Sequence, residues 1–153
     1  MNCDKSRVKN TPPAMSTKQA SVDTCFFLRY LTGEPPDQAE TAERVLRRAA
    51  AGKLELIVPV MVIAEIVWTL ETSVFNLSKQ EASNKAIAIL NMPGVQVPNA
   101  RILEEAAVLH AELNIDFTDA YLACFARGKG LEDVYTFDKK HFSRIPWIHI
   151  AHR

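Results

Sequence analysis

Residues 20–31 are Ala20-Ser21-Val22-Asp23-Thr24-Cys25-Phe26-Phe27-Leu28-Arg29-Tyr30-Leu31. The first four predict a short strand, and the apolar residues after them predict a helix that ends at Gly33. Parallel strands cannot be joined by a tight hairpin and usually take a helix as their connection. A strand that leads directly into a helix therefore favours an α/β fold, with Asp23 at the carboxyl end of the first strand.

The same alternation continues along the chain. Further strands are predicted at 54–58, 95–97, 134–137 and 147–150. Helical patterns lie between them, at 37–51, 60–72, 78–90, 99–113 and 118–127, with a single helical turn at 138–142. Short strands separated by helices predict a parallel sheet of four to five strands that is covered by helices on both faces.

The domain organisation follows from length and composition. A chain of 153 residues has the size of one domain and is long enough to bury a core of its own. Residues 1–18 are polar, include Pro12 and Pro13 and have no hydrophobic period, which predicts a flexible N-terminal tail. Residues 19–153 are then predicted to form the domain.

Composition limits the partners and the compartment. Lysine plus arginine and aspartate plus glutamate number 18 each, so net charge provides no long-range attraction to nucleic acid and any contact with it must be local. The three cysteines are widely spaced without a Cys-x-x-Cys pair, which favours reduced thiols in the cytoplasm. The longest apolar run, 56–68, contains Pro59 and Glu65 and is shorter than the roughly 20 residues of a membrane helix. No membrane association is predicted.

Two acidic residues follow predicted strands. Asp23 follows the first strand and Asp138 follows the strand at 134–137. Ligands of open α/β sheets bind outside the carboxyl ends of the strands, so both positions are candidates for a site. Each residue is equally suited to cap the helix after it, and that simpler interpretation stays open for both.

Glu65 is the most informative single acid. Its neighbours three and four positions away are Met61, Val62, Trp68 and Thr69, which predicts a carboxylate on a largely apolar surface. A buried carboxylate needs a cation, hydrogen bonds or a raised pKa, and a divalent metal ion supplies the first of these. A salt bridge to a lysine or arginine is the alternative.

A further pair of acids opens the helix at 118–127. Asp116 fits a helix cap, whereas Asp119 directly precedes small and apolar residues that must pack on the sheet, which aims its carboxylate toward the strand ends. Several carboxylates without histidine or cysteine partners suit Mg²⁺ or Mn²⁺ and disfavour zinc. With a phosphodiester substrate, such a centre is typical of metal-dependent nucleases.

Four motifs occur in order between about Ser21 and Ile150: Val22-Asp23-Thr24 followed by Leu28-Arg29-Tyr30-Leu31, Ala64-Glu65-Ile66-Val67-Trp68, Asp116-Phe117-Thr118-Asp119-Ala120-Tyr121-Leu122-Ala123, and Tyr135-Thr136-Phe137-Asp138. Together they resemble the PIN-domain family, and specifically the VapC toxins of toxin–antitoxin pairs. The resemblance implies a PIN-like three-layer α/β/α sandwich and an endoribonuclease that depends on Mg²⁺ or Mn²⁺.

The resemblance also implies the site and its partners. The family's conserved acids, as metal ligands and catalytic residues, fall on Asp23, Glu65, Asp119 and Asp138. Auxiliary roles fall on Asp116, Thr24 and Thr136. The implied partners are an RNA substrate, a VapB-like antitoxin that covers the site, and a second copy of the toxin in a homodimer.

The sequence also predicts roles for basic, aromatic and histidine side chains outside the acidic cluster. RNA contact is predicted at the basic residues that flank two of the acids: Arg29, Lys139 and Lys140. Trp68 is interpreted as a core residue. The histidines lack metal-ligand spacing and are interpreted as structural or exposed: His110, His141, His149 and His152.

Two other functions compete with the nuclease. An aspartate-dependent phosphatase also has an Asp after its first strand, but it usually needs a second Asp two positions later as general acid, where this chain has Cys25. A non-catalytic PIN-like binding or regulatory module is the other alternative. The presence of all four acids argues against it.

Overall fold

The computed structural model describes residues 17–151. Most of the predicted tail, 1–18, lies outside the described residues, as does His152. The first strand begins at Gln19, directly after the exposed Thr17 and Lys18. The division into tail and domain stays a prediction.

Strands and helices alternate along the described chain as predicted. In chain order they are β1 (Gln19–Ser21), α1 (Thr24–Thr32), α2 (Pro36–Ala50), β2 (Glu55–Ile57), α3 (Val60–Glu71), α4 (Lys79–Leu90), β3 (Val95–Gln96), α5 (Ala100–Leu113), α6 (Phe117–Gly128), β4 (Asp133–Val134), α7 (Lys139–Phe142) and β5 (His149–Ile150). Each predicted segment has a counterpart, and the strands are shorter than their sequence patterns predict.

All strand pairs in the described residues are parallel, which confirms the α/β fold class. β2 lies between β1 and β3, with Leu56 opposite both Ala20 and Val95. β4 and β5 form a separate two-stranded ladder, in which Val134 lies opposite Ile150. The strands are therefore divided between two ladders.

The strand predicted at 134–137 is shorter in the structure, and a local turn follows it. The backbone N–H of Asp138 donates to the hydroxyl of Thr136 over 3.0 Å. Such short-range side-chain hydrogen bonds compete with the ladder bonds of a strand. After Val134 the chain therefore turns toward α7, and this turn sets the position of Asp138.

The core lies between the three-stranded sheet and the helices around it. Phe27 of α1, Leu56 of β2 and Ile63 of α3 are fully buried. α3 packs against α1, α4 and α6, while α5 packs against α4 and α6. This arrangement places α3 between the first and the later helices of the chain.

Trp68 is not a core residue, and its interpretation as one is wrong. Its side chain is 57% exposed. α3 is apolar on nearly every side, so hydrophobicity alone does not decide which face is buried. The inward positions are occupied by Ile63, Ile66, Val67 and Leu70.

The start of α4 carries the reciprocal cap that its sequence predicts. The Ser78 hydroxyl accepts from the backbone N–H of Glu81, and the Glu81 carboxylate accepts from the backbone N–H of Ser78. A hydrogen bond from the Ser78 hydroxyl, followed by the one from its backbone N–H, lowers the pKa of Glu81. The cap fixes the first turn of α4, which contains Lys79.

Candidate active site and metal centre

Asp23 lies where the sequence predicts it, between β1 and α1. Its Oδ1 caps α1 by accepting from the backbone N–H of Phe26 over 2.9 Å, and the residue is exposed. A carboxylate has about four lone-pair sites on its two oxygens. The capping role and a ligand role are therefore compatible in the same side chain.

A direct hydrogen bond links the first two motifs. The hydroxyl of Thr24, a buried residue at the start of α1, donates to Oε2 of Glu65 on α3 over 2.6 Å. Because Thr24 is adjacent to Asp23, this bond brings the Glu65 carboxylate toward the end of β1. Thr24, Asp23 and Glu65 form one half of the candidate site.

The predicted setting of Glu65 is wrong in one respect. The residue is exposed, and two of its apolar neighbours on α3, Met61 and Trp68, are exposed with it, at 71% and 57%. Because the residue is open to solvent, burial gives no reason for a cation at its carboxylate. A role for Glu65 at a metal must rest instead on its hydrogen bond to Thr24, the residue directly after Asp23.

The other half of the candidate site surrounds His141. Nδ1 of His141 lies 2.8 Å from Oδ2 of Asp119, 3.1 Å from Oδ2 of Asp138 and 3.8 Å from Oδ2 of Asp116. Asp116 and Asp119 come from the start of α6, and Asp138 is the N-cap of α7. Three carboxylates from two helix starts thus converge on one imidazole nitrogen.

The sequence interprets His141 as structural or exposed, and the structure places it among the candidate ligands. Its side chain is only 14% exposed and contacts acids that the sequence predicts as ligands. One sequence signal points to it, since His141 lies three residues after Asp138 and such residues are neighbours on a helix. His110 is buried and structural, as predicted, while His149 is exposed and contacts Asp133.

The structure divides the predicted ligands between the two halves. Donor atoms of Asp116, Asp119 and His141 all lie within 4.8 Å of one another, and Asp138 joins this group through His141. Asp23 and Glu65 belong to the other half. α3, which carries Glu65, packs against both α1 and α6. The two halves of the site therefore lie on neighbouring helices.

A polar network behind the site holds the start of α6, and sequence reasoning missed it. Nδ1–H of the buried His110 donates to the carbonyl of Ile115 over 2.6 Å, and its Nε2 contacts the carboxylate of Glu71. Glu71 also accepts from Nζ of Lys79 over 3.0 Å, and Nζ lies 3.8 Å from Oδ1 of Asp116. The network connects α3, α4 and α5 to the residues directly before α6.

The predicted RNA-contact residues differ in their surroundings. Lys139 and Lys140 are exposed on α7, directly after Asp138. Arg29 is partly buried, and its Nε donates to Gln38 on α2 over 3.0 Å. The two lysines are therefore better placed than Arg29 to reach a phosphate, and Arg29 contributes to the packing of α1 on α2.

The sequence matches one known protein family over most of its length. The model of the PIN domain family matches residues 20–148, so the chain belongs to the PIN domain family. This confirms the resemblance to the PIN-domain family and the PIN-like α/β/α sandwich. PIN domains are generally nucleases that typically use divalent metal ions, and the family implies an RNA substrate. No curated protein matched the chain.

The donor set fits the metal ions of the family. Asp116, Asp119 and Asp138 supply carboxylate oxygens, the ligands that Mg²⁺ and Mn²⁺ accept. The imidazole of His141 adds one nitrogen.

Within residues 17–151, every helix is too short or too polar to cross a bilayer.

Proposed function

We propose that this PIN domain is an endoribonuclease dependent on Mg²⁺ or Mn²⁺ that acts as the toxin of a VapC-type toxin–antitoxin pair. The observation that carries the proposal is the convergence of Asp116, Asp119 and Asp138 on His141, in a chain whose family match covers residues 20–148. The toxin role is supported by the order of the four motifs that resemble VapC proteins.

In this proposal Asp23, Glu65, Asp119 and Asp138 hold the metal. Bound there, the metal supplies a Lewis acid that activates water and stabilises charge on the phosphate. Asp116 lies close enough to Asp119 to support the same centre. Thr24 and Thr136 position Glu65 and Asp138 through their hydrogen bonds.

The remaining residues bind and orient the RNA. Lys139 and Lys140 are exposed and directly follow Asp138 in the chain, and in this proposal their ammonium groups offset the repulsion between the acids and a phosphodiester. Water attacks the phosphorus in line with the leaving ribose oxygen, so the P–O bond to that oxygen breaks without a covalent enzyme intermediate. The attacking water loses a proton and the leaving oxygen gains one, so the net reaction consumes one water molecule. The products are two shorter RNA strands.

The proposed partners follow from the toxin role. They are RNA in the cytoplasm, a VapB-like antitoxin that covers the carboxylates, and a second toxin chain in a homodimer. An antitoxin with an arginine suits the site, since a guanidinium binds carboxylates in a bidentate manner.

The test is cleavage of a mixed RNA pool by the purified protein, free of antitoxin, with Mg²⁺, with Mn²⁺ and with EDTA. We expect cleavage that requires metal and that Asp23→Asn lowers by about 10²-fold or more. Asparagine is as good an N-cap as aspartate, so the variant retains the cap of α1 and loses the charge.

Two other results would contradict the proposal. Absence of cleavage and of Mn²⁺ binding would favour a non-catalytic binding module. Hydrolysis of a small phosphate ester without RNA cleavage would favour the phosphatase.

Thr24→Val should lower the rate of RNA cleavage by about 10-fold or more, because residues that orient a metal ligand typically contribute this much. Valine fills the same buried space but donates no hydrogen bond to Glu65. Thr24→Ser retains the hydroxyl and is the matched control. Single-turnover rates at saturating Mn²⁺ measure the effect, and equal impairment of the serine and valine variants would contradict the positioning role.

A further inference from the structure

The position of His141 allows a conclusion about which metal the site takes. Around an octahedral ion with ligands at about 2.1 Å, neighbouring donor atoms are about 3.0 Å apart and opposite donors are about 4.2 Å apart. Nδ1 of His141 lies 2.8 Å from Asp119 Oδ2 and 3.1 Å from Asp138 Oδ2. Both distances are those of neighbouring ligands.

Asp116 fits the same arrangement. Its Oδ2 lies 3.8 Å from Nδ1 of His141, between the separations of neighbouring and opposite ligands. Donor atoms of Asp116, Asp119 and His141 are mutually within 4.8 Å. One ion can therefore contact all three after small side-chain adjustments.

The fold holds the imidazole in this position. Oδ1 of Asp138 accepts from the backbone N–H of His141 over 3.0 Å, which fixes the turn of α7 that carries both residues. The next residue, Phe142, is 2% exposed and anchors α7 in the core. His141 is thus partly buried against the carboxylates, on a turn that is fixed at both Asp138 and Phe142.

We propose that His141 is a ligand of the metal centre and that its nitrogen gives the centre a preference for Mn²⁺ over Mg²⁺. The inference rests on the proposed function, since it concerns the same site. Mg²⁺ takes oxygen ligands and gives up its water reluctantly. Mn²⁺ also suits carboxylates, but as a transition-metal ion it accepts a nitrogen ligand beside them more readily than Mg²⁺ does. A centre made only of carboxylates would lack this reason to prefer Mn²⁺ over Mg²⁺.

The distances also fit a different role, and the two roles predict opposite effects. A histidine that only donates a hydrogen bond to Asp119 competes with the metal for that carboxylate. Removal of such a histidine strengthens Mn²⁺ binding. Removal of a ligand weakens it.

The experiment measures metal binding to the full-length protein without RNA. Free Mn²⁺ is determined by electron paramagnetic resonance, and Mg²⁺ by its competition with Mn²⁺. The variants are His141→Ala, His141→Asp and, as the control, His149→Ala, whose imidazole is exposed and pairs with Asp133. Circular dichroism establishes that each variant is folded.

We expect His141→Ala to weaken Mn²⁺ binding by at least about 10-fold, with a smaller effect on Mg²⁺. His141→Asp replaces the nitrogen with oxygen and should shift the preference toward Mg²⁺, while His149→Ala should behave as the wild type. Electron spin-echo modulation should detect a ¹⁴N nucleus bound to Mn²⁺ in the wild type and not in His141→Ala.

Unchanged or tighter Mn²⁺ binding in His141→Ala, or a wild-type Mn²⁺ signal without ¹⁴N coupling, would overturn the inference. The proposed nuclease would stand in that case, provided that wild-type cleavage of RNA still requires metal. A wild type that neither binds Mn²⁺ nor cleaves RNA would overturn both.

Discussion

Glu65→Gln is expected to lower the rate of RNA cleavage by about 10³-fold while the protein stays folded. Glu65 is exposed on α3, so a side chain of the same shape causes no packing defect. The amide oxygen of glutamine can still accept from the hydroxyl of Thr24, which preserves the local geometry. The substitution therefore removes the negative charge and little else.

The measurements are the single-turnover cleavage rate in Mn²⁺ and the thermal unfolding midpoint in EDTA. The matched control is Glu55→Gln, which changes a carboxylate at the start of β2 that contacts Gln19 rather than the site. It should cleave RNA at close to the wild-type rate. Full activity in Glu65→Gln, with a normal unfolding midpoint, would contradict the role proposed for Glu65.

Gly94→Ala is expected to lower the free energy of unfolding by about 3 kcal/mol or more. Gly94 has a φ of +80°, a conformation that residues with a Cβ rarely adopt. A Cβ at this position would also lie 2.6 Å from the carbonyl carbon and 2.8 Å from the Cβ of Ala49 on α2, and closer still to its carbonyl oxygen. Backbone atoms cannot rotate away, so β3 or α2 must shift.

Gly52→Ala separates the backbone strain of a positive φ from the steric clash with Ala49. Gly52 has a φ of +71°, but a Cβ there would meet no atom within 4 Å. Backbone strain alone should therefore lower the free energy of unfolding of this variant, by about 1 kcal/mol. Denaturant unfolding followed by circular dichroism measures both variants. Equal destabilisation of the two would contradict the steric role of Gly94 in the packing of β3 on α2.

The secondary structure could be predicted well because its signals are local. The capping residues of α4, Ser78 and Glu81, are three positions apart and form the predicted cap. Glycine follows α1 at Gly33, where φ is +75°. The strand ends were less predictable, as at Thr136, because side-chain hydrogen bonds such as the one from the backbone N–H of Asp138 compete with the ladder in places where the pattern of apolar residues continues.

The candidate site was predictable in part. The sequence identified the acids, because Asp23 and Asp138 stand where strands give way to helices. It misplaced Glu65 and Trp68, since α3 is apolar on nearly every side and its neighbours, rather than its own pattern, select the buried face. It also missed His141 as a neighbour of Asp119.

The sequence by itself determined the alternation of strands and helices, the family and the acidic candidates for a metal site, because each is encoded by residue type and by spacing within short motifs. Only the tertiary structure decided which of those residues meet. Thr24 and Glu65 are 41 positions apart, and Asp119 and His141 are 22 apart. Such contacts depend on how α1, α3, α6 and α7 pack, which the spacing within any one helix does not specify.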